Sequence, residues 1–305
     1  MRAGTAKVTP KKIKESRDNL IFDIFVYVFL TIALIVVLYP LYFVVIASFS
    51  DPYMVLRGDV VWFPKGVTFS SYEKIFQNQD IWIGYANSIK YTVVGTLLNV
   101  VLTVFLAYPL SRSYFCLRKP FTIIVLITMY FGGGMIPTYI LVNSLGLRNT
   151  MWSLIFVGAV SAYNVIIART FFQSNIPNEL EEAAEIDGCT KGRFFFSFVP
   201  QLSKSIVAVL SLYYAVGHWN DYMKGLLYID KREMYPLQLI LRGILMEGQG
   251  LANDFSDVDE IEAKLKLAES LKYGVIIVAV IPPLLLYPFI QKYFIKGVMV
   301  GSLKG

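Results

Sequence analysis

Six stretches of this chain, about 21 to 48, 88 to 111, 121 to 145, 151 to 172, 203 to 227 and 273 to 292, are apolar over the length a helix needs to cross a bilayer core, roughly 20 residues. Inside lipid a backbone must satisfy its own N–H and C=O groups, so stretches of this kind fold as helices. The expected fold class is an all-α polytopic membrane protein with six transmembrane helices. Composition agrees, since 56% of the residues are hydrophobic and only 16% charged, well outside the usual soluble mixture.

An even number of spans leaves both termini on one side, and the distribution of Lys and Arg indicates which side that is. With the N-terminus inside, residues 1–20, the turn 112–119, the stretch 169–204 and the tail from 292 carry 16 of the 28 basic residues in short segments. The other 12 are spread over longer loops. The expected organisation is a cytoplasmic basic segment 1–20, a six-helix transmembrane domain 21–292 containing a cytoplasmic loop 173–202, and a cytoplasmic tail 293–305. The first apolar run is too long for a cleavable signal peptide and lacks a small-residue cleavage pattern, so it reads as a retained anchor. Lys11, Lys12, Lys14 and Arg17 can meet anionic headgroups, which makes membrane lipid a partner.

The loop between spans four and five carries the most legible local chemistry. Pro177 suits the first turn of a helix, and Glu179, Glu181 and Glu182 complement its N-terminal dipole. Gly188 permits the left-handed residue that ends a helix, and Thr190 can cap a second one rich in Phe194, Phe195, Phe196 and Phe198. Small Ala183 and Ala184 leave room for a partner to approach closely. This helix, glycine elbow and second helix form a unit suited to a cleft of another protein.

Several function classes are disfavoured. Apart from Asp23, Lys90 and Asp221, all near span ends, the spans hold almost no ionisable groups, whereas ion-coupled carriers need charges within the membrane. The motifs HExxH, GxSxG and GxxxxGK[ST] do not occur, so neither intramembrane hydrolysis nor an ATPase site is expected on this chain. Cys116 and Cys189 fall in loops expected to be cytoplasmic and reduced. With His218 the one histidine, no multi-ligand metal site can be assembled. Outside the spans, residues 49–87, with Tyr53, Trp62, Phe63, Pro64, Gly66 and Tyr72, read as irregular chain and a surface helix at the lipid interface. In 228–272, Asp254, Asp257, Asp259, Glu260 and Glu262 lack calcium-loop spacing and read as a solvated acidic surface. Ile261, Leu265, Ala268 and Leu271 then recur at helical spacing, which predicts an amphipathic helix leading into the last span.

The run Glu182-Ala183-Ala184-Glu185-Ile186-Asp187-Gly188 resembles the EAA loop of permease subunits from bacterial ATP-binding-cassette (ABC) importers. Six spans with this loop between the fourth and fifth are similar to the maltose-type carbohydrate permeases. So are Trp219-Asn220-Asp221 and the ending Gln291-Lys292-Tyr293-Phe294-Ile295-Lys296-Gly297 with Gly301-Ser302-Leu303-Lys304-Gly305. Phe131-Gly132-Gly133-Gly134-Met135-Ile136-Pro137-Thr138 resembles a subgroup that takes up complex oligosaccharides. The family loop usually ends in Ile-x-Leu-Pro; here Pro200 comes one residue early and Gln201 takes the expected place, so the second helix is expected to end one residue early.

The resemblance implies a permease in a bacterial plasma membrane that imports an oligosaccharide by alternating access. It also implies a second, different permease, two separate ATPase subunits that bind the ATP and magnesium, and an extracytoplasmic solute-binding protein. No cofactor is expected on this chain, and no nucleic acid among its partners. Glu182, Ala183, Ala184, Asp187 and Gly188 would carry the ATPase coupling. The alternatives are another small solute or a secondary carrier.

Candidate substrate-path residues follow from depth. At about 1.5 Å per helical residue, Gly132, Gly133 and Gly134, Tyr163 and Asn164, and Tyr213 to Asn220 fall from mid-membrane outward. Glycine-interrupted spans line cavities, although glycines also serve close helix packing. Tyr214, His218 and Asp221 share a helix face with Trp219 and Asn220 beside them, a mixture of aromatic and polar groups that suits sugar rings. Helix packing and an interfacial aromatic belt account for the same residues. Few charges along the path favour a neutral ligand, or one whose charge is read by the binding protein.

Overall fold

The computed structural model describes residues 17–250, 271–285 and 288. The basic residues before 17, the acids from Asp254 to Glu262, the Ile261, Leu265 and Ala268 stripe, and the tail 293–305 lie outside the described residues. Every regular element among those described is helical, as the apolar stretches demand. The chain divides into two compact units, one ending at Val67 and the other beginning at Thr68.

The first unit is built on α1 (Arg17–Ser48). Its apolar side chains stand exposed from Ile21 to Leu41, the all-round hydrophobic surface that a helix offers to lipid. A short α2 (Pro52–Leu56) follows, its N-terminus capped by the Asp51 carboxylate, which accepts from the Tyr53 N–H at 2.8 Å. Irregular chain then folds back on the end of α1. Tyr42 donates its hydroxyl to the Trp62 carbonyl at 2.5 Å, and the Tyr39 and Trp62 rings meet edge-on at 5.2 Å.

In the second unit α3 (Ser70–Gln77) leads into α4 (Gln79–Ser111), followed by α5 (Arg118–Tyr130), α6 (Met135–Ser144), α7 (Met151–Phe156) and α8 (Ala162–Asn175). Three short helices come next, α9 (Asn178–Ile186), α10 (Lys191–Ser197) and α11 (Val199–Leu202). Then come α12 (Lys204–Asn220), α13 (Met223–Tyr228), a 3-10 turn at Arg232–Met234, α14 (Leu237–Gly250) and α15 (Leu271–Leu285). Helix α4 is the axis: α8, α12 and α14 all pack on it. Small residues along α4 set how close its neighbours come. A Cβ on Gly95 would lie 2.5 Å from the His218 Nε2, and one on Gly84 would lie 2.6 Å from the Ile240 Cδ1. Apolar packing of this kind holds helices together where the hydrophobic effect is absent.

Two cores sit at opposite ends of α4. One joins Ala107, Tyr108 and Leu110 of α4 to Val165, Ala168 and Phe172 of α8, Leu210 and Tyr214 of α12, and Phe194 and Val199 of the short helices. The other joins Ile75 and Ile81 to Trp219, Leu237, Ile240 and Leu241 and to Val275, Val278 and Ala279.

The expected spans are less continuous than hydropathy suggested. Among the described residues, two helices are long and apolar enough to cross a membrane, within α1 and α4. The expected span 88–111 begins earlier, at Gln79, where Asn78 caps the helix by accepting from the Asp80 N–H. The expected span 121–145 is two helices bent by 114°, because Gly134 adopts φ 85° at the break. The expected span 151–172 is likewise interrupted between α7 and α8, where Gly158 has φ 78° and Ser161 caps α8. The expected span 203–227 is divided after Asn220 into α12 and α13. The last stretch is described as Leu271–Leu285.

The close approach of α4 and α12 can be tested by Gly95→Val. Its side chain must displace the His218 ring, and overpacking of this sort costs about 1–3 kcal/mol. Gly217→Ala, where a Cβ meets nothing within 4 Å, is the control. Thermal unfolding in detergent is expected to show a lower midpoint for the valine variant alone.

Candidate functional site

The segment 177–202 folds from its own local signals. Helix α9 starts just after Pro177, which occupies the N-cap rather than the first turn. It ends in a Schellman motif: the Cys189 N–H donates to the Ala184 carbonyl at 2.8 Å and the Gly188 N–H to the Glu185 carbonyl at 3.0 Å. Gly188 supplies the required left-handed residue, with φ 79°. Thr190 then caps α10 by accepting from the Arg193 N–H at 3.3 Å. Helix α10 ends at Ser197, and Pro200 falls in the first turn of α11, where its missing N–H leaves no hydrogen bond unmade.

What holds this elbow in place is a buried ion pair that local patterning did not reveal. Arg112, immediately after α4, is 1% exposed and Glu181 on α9 is 3% exposed. The Arg112 Nη1 lies 3.6 Å from the Glu181 Oε2. Each charge is further satisfied. Tyr108 donates to the Glu181 Oε2 at 3.1 Å and Tyr114 to the Oε1 at 2.7 Å. Arg112 donates to the Phe172 carbonyl and the Ser111 hydroxyl, both at 3.0 Å, and its guanidinium lies 4.7 Å from the centre of the Tyr108 ring. Partial burial, and then the hydrogen bond to the carboxylate, hold the Tyr114 phenol above its ordinary range, so it remains a donor near neutral pH. Glu181 is therefore more than a complement to the helix dipole: it ties α9 to the C-terminal end of α4. Helix α10 is joined to the same end of α4 by aromatic contacts, with the Phe195 ring 5.1 Å from both Phe105, edge-on, and Tyr108, tilted.

With Glu181 turned inward, the other face of α9 is free. Glu182, Ala183, Asp187 and Gly188 are exposed, and Ala184 packs partly against the core. Ala183, Ala184 and Asp187 border a shallow hollow of about 360 Å³ with Leu180, Phe194 and Phe198. Three of the five expected coupling residues thus border one hollow, while Glu182 and Gly188 are exposed outside its lining. Cys116 and Cys189 are free thiols.

The expected path residues divide into two groups. Tyr214, His218 and Trp219 pack into the bundle. The Tyr214 hydroxyl accepts from the Ser161 N–H at 3.1 Å, satisfying a backbone group freed by the α7–α8 break, and shares a hydrogen bond with the Thr103 hydroxyl at 2.7 Å. His218 lies 2.9 Å from the Asn99 amide nitrogen, and Trp219 donates to the Ala279 carbonyl at 3.0 Å. Asn164 is buried, whereas Tyr163 and Asn220 are exposed, the Tyr163 ring 6.5 Å from that of Tyr213. Gly132 and Gly133 have open space where a Cβ would stand, and one on Gly134 would meet the Pro137 ring at 3.9 Å, so no α12 side chain lies within 4 Å of these three positions. Asp221 pairs with Lys224 at 2.8 Å.

Removing one partner of a buried, hydrogen-bonded charge pair costs about 3–5 kcal/mol, while replacing both with apolar side chains costs far less. Arg112→Met and Glu181→Met are each expected to lower the unfolding midpoint steeply, and the double variant to recover much of that loss. A double-mutant cycle by thermal unfolding in detergent checks this, and strictly additive losses would contradict it.

No protein family model matches the chain. It is 40% identical over 94% of its length to the polygalacturonan/rhamnogalacturonan transport system permease protein YtcP of Bacillus subtilis (strain 168), covering 99% of that protein. It is 36% identical over 93% of its length to protein LplC of the same organism, covering 95% of it. Among solved structures it is similar to a chain of a bacterial ABC transporter involved in the import of the acidic polysaccharide alginate, with a TM-score of 0.81 and 31% identity over 94% of this chain and 100% of that one. With a helical fold, membrane-length apolar helices and likeness along nearly its whole length, the chain belongs to the family of sugar-transport permease subunits of ABC importers.

Proposed function

We propose that this chain is one of two different permease subunits of an oligosaccharide importer, and that α9 is its coupling helix. In this reading the chain crosses the membrane six times, with both termini and the α9–α11 segment cytoplasmic. Two ATPase subunits receive the exposed face of α9, and an extracytoplasmic binding protein delivers the sugar. The chain itself binds no ATP, magnesium or other cofactor. Its relatives' transport of polygalacturonan, rhamnogalacturonan and alginate supports an oligosaccharide as the solute.

The observation that carries the reading is a helix fixed from behind and bare in front. Glu181 binds α9 to α4 through Arg112, while Glu182 and Gly188 on the same segment stay exposed. A push on the bare face therefore reaches α4 and the helices packed on it as rigid-body motion, the kind that alternates inward- and outward-open states. Glu182 supplies a carboxylate for an arginine or backbone amides of the ATPase. Gly188 keeps the elbow, since proline cannot adopt its positive φ.

Glu182→Lys and Gly188→Pro are expected to reduce uptake at least tenfold in proteoliposomes holding the whole complex, while the chain still inserts. ATP hydrolysis measured on the same preparation separates loss of docking from loss of coupling. Full uptake by both variants would overturn the assignment of α9.

A further inference from the structure

At the end of α4 remote from the coupling helix, α14 presents a cation that no carboxylate among the described residues pairs. Among the described residues the Nη1 atom of the half-buried Arg242 is buried without a hydrogen-bond partner, and Arg242 makes no ion pair. Leaving a buried charged donor unmade is costly, which makes such a group a marker of something missing. Arg242 lines a cavity of about 390 Å³ that opens between α12, α14 and α15. Two neutral amides, Asn220 and Gln238, face the same space, above an apolar wall that includes Leu241, Val275 and Ala279. The guanidinium is held in place by the Tyr222 ring, whose centre lies 4.4 Å away.

We propose that this cavity is a subsite for an acidic oligosaccharide, with Arg242 pairing the carboxylate of a uronic-acid residue. A planar guanidinium matches a carboxylate with two parallel hydrogen bonds, which an ammonium cannot do. Asn220 and Gln238 can donate to and accept from ring hydroxyls, and the apolar wall suits the hydrophobic face of a sugar ring. A cavity of this size takes one or two sugar residues rather than a long chain. The proposal rests on the reading of the protein as an oligosaccharide permease and adds the charge of the solute and the residue that reads it. It also alters the expectation of a neutral path: the few charges within the spans do not count a cation carried by α14 beside them.

The test uses the complete transporter with its binding protein in proteoliposomes and two probes, an oligogalacturonate and the same oligomer with its carboxyls reduced to alcohols. Uptake of the acidic relative to the reduced probe is expected to fall roughly tenfold or more in Arg242→Gln, the loss of one charge-assisted pair. Arg242→Lys is expected to keep part of the preference, because it retains the charge without the fork. A wild-type transporter that carries the reduced probe as well as the acidic one overturns the subsite without touching the permease reading, and so does a variant that loses both equally. Uptake of neither probe or any other oligosaccharide by the wild type, despite an assembled complex, overturns the permease reading instead. Should Arg242→Gln fail to assemble, Gln238→Ala and the wild-type preference decide: no preference and no change overturn the subsite.

Discussion

The Arg112–Glu181 pair is the contact on which the rest of the arrangement depends. Neither charge would be stable alone where it sits, since each is almost wholly withdrawn from water. Together with the Tyr108 and Tyr114 hydroxyls, the Phe172 carbonyl and the Ser111 hydroxyl, they form a closed network joining α4, α8 and α9. Such a network adds little net stability compared with an apolar core, but it admits one geometry. It determines which acid on α9 points inward and which points out, and so gives the helix an inner and an outer face.

The second consequence concerns α4 itself. At 33 residues and about 1.5 Å per residue it is a rod of roughly 50 Å, with the α9 anchor at one end and the α14 cavity beyond the other. Along its length Gly84, Gly95, Asn99 and Thr103 bring α12 and α14 into contact close enough that they cannot slide freely. In the proposed coupling role, a force on α9 would be carried by these packed helices to the region around Arg242. The breaks at Gly134 and Gly158 lie outside this rod, in the elements whose backbones bend.

How much of this was legible in the sequence depended on the range of the signal. The elbow was, because Gly188 and Thr190 act on backbone groups within a few residues, and each appears where helix-end chemistry requires it. The helical class was legible from apolar length. The continuity of the spans was not: a hydropathy window averages over Gly134 and Gly158, whose positive φ turns the chain without changing its apolarity. Nor was the anchor. Arg112 reads as one more basic residue flanking a span and Glu181 as one of several acids opening a helix, and only the packing of α8 against α4 brings them together. Tyr214 and His218 read equally well as sugar contacts or as packing, and their hydroxyl and imidazole groups are taken up by Thr103, Ser161 and Asn99. Arg242 was counted among the charges of an outer loop, since nothing local marks which face of α14 it occupies.

The most direct measurement of the central claim is a distance between α4 and α9 during the ATP cycle. Spin labels at Val101→Cys and Ile186→Cys, both exposed positions, can be read by pulsed electron resonance in the reconstituted importer, with Cys116 and Cys189 replaced by serine. If the buried pair makes α4 and α9 one body, the distance distribution is the same with and without trapped ATP while transport proceeds. A distribution that shifts by several ångströms between the two states would mean that α9 swings on its own, and would contradict the account.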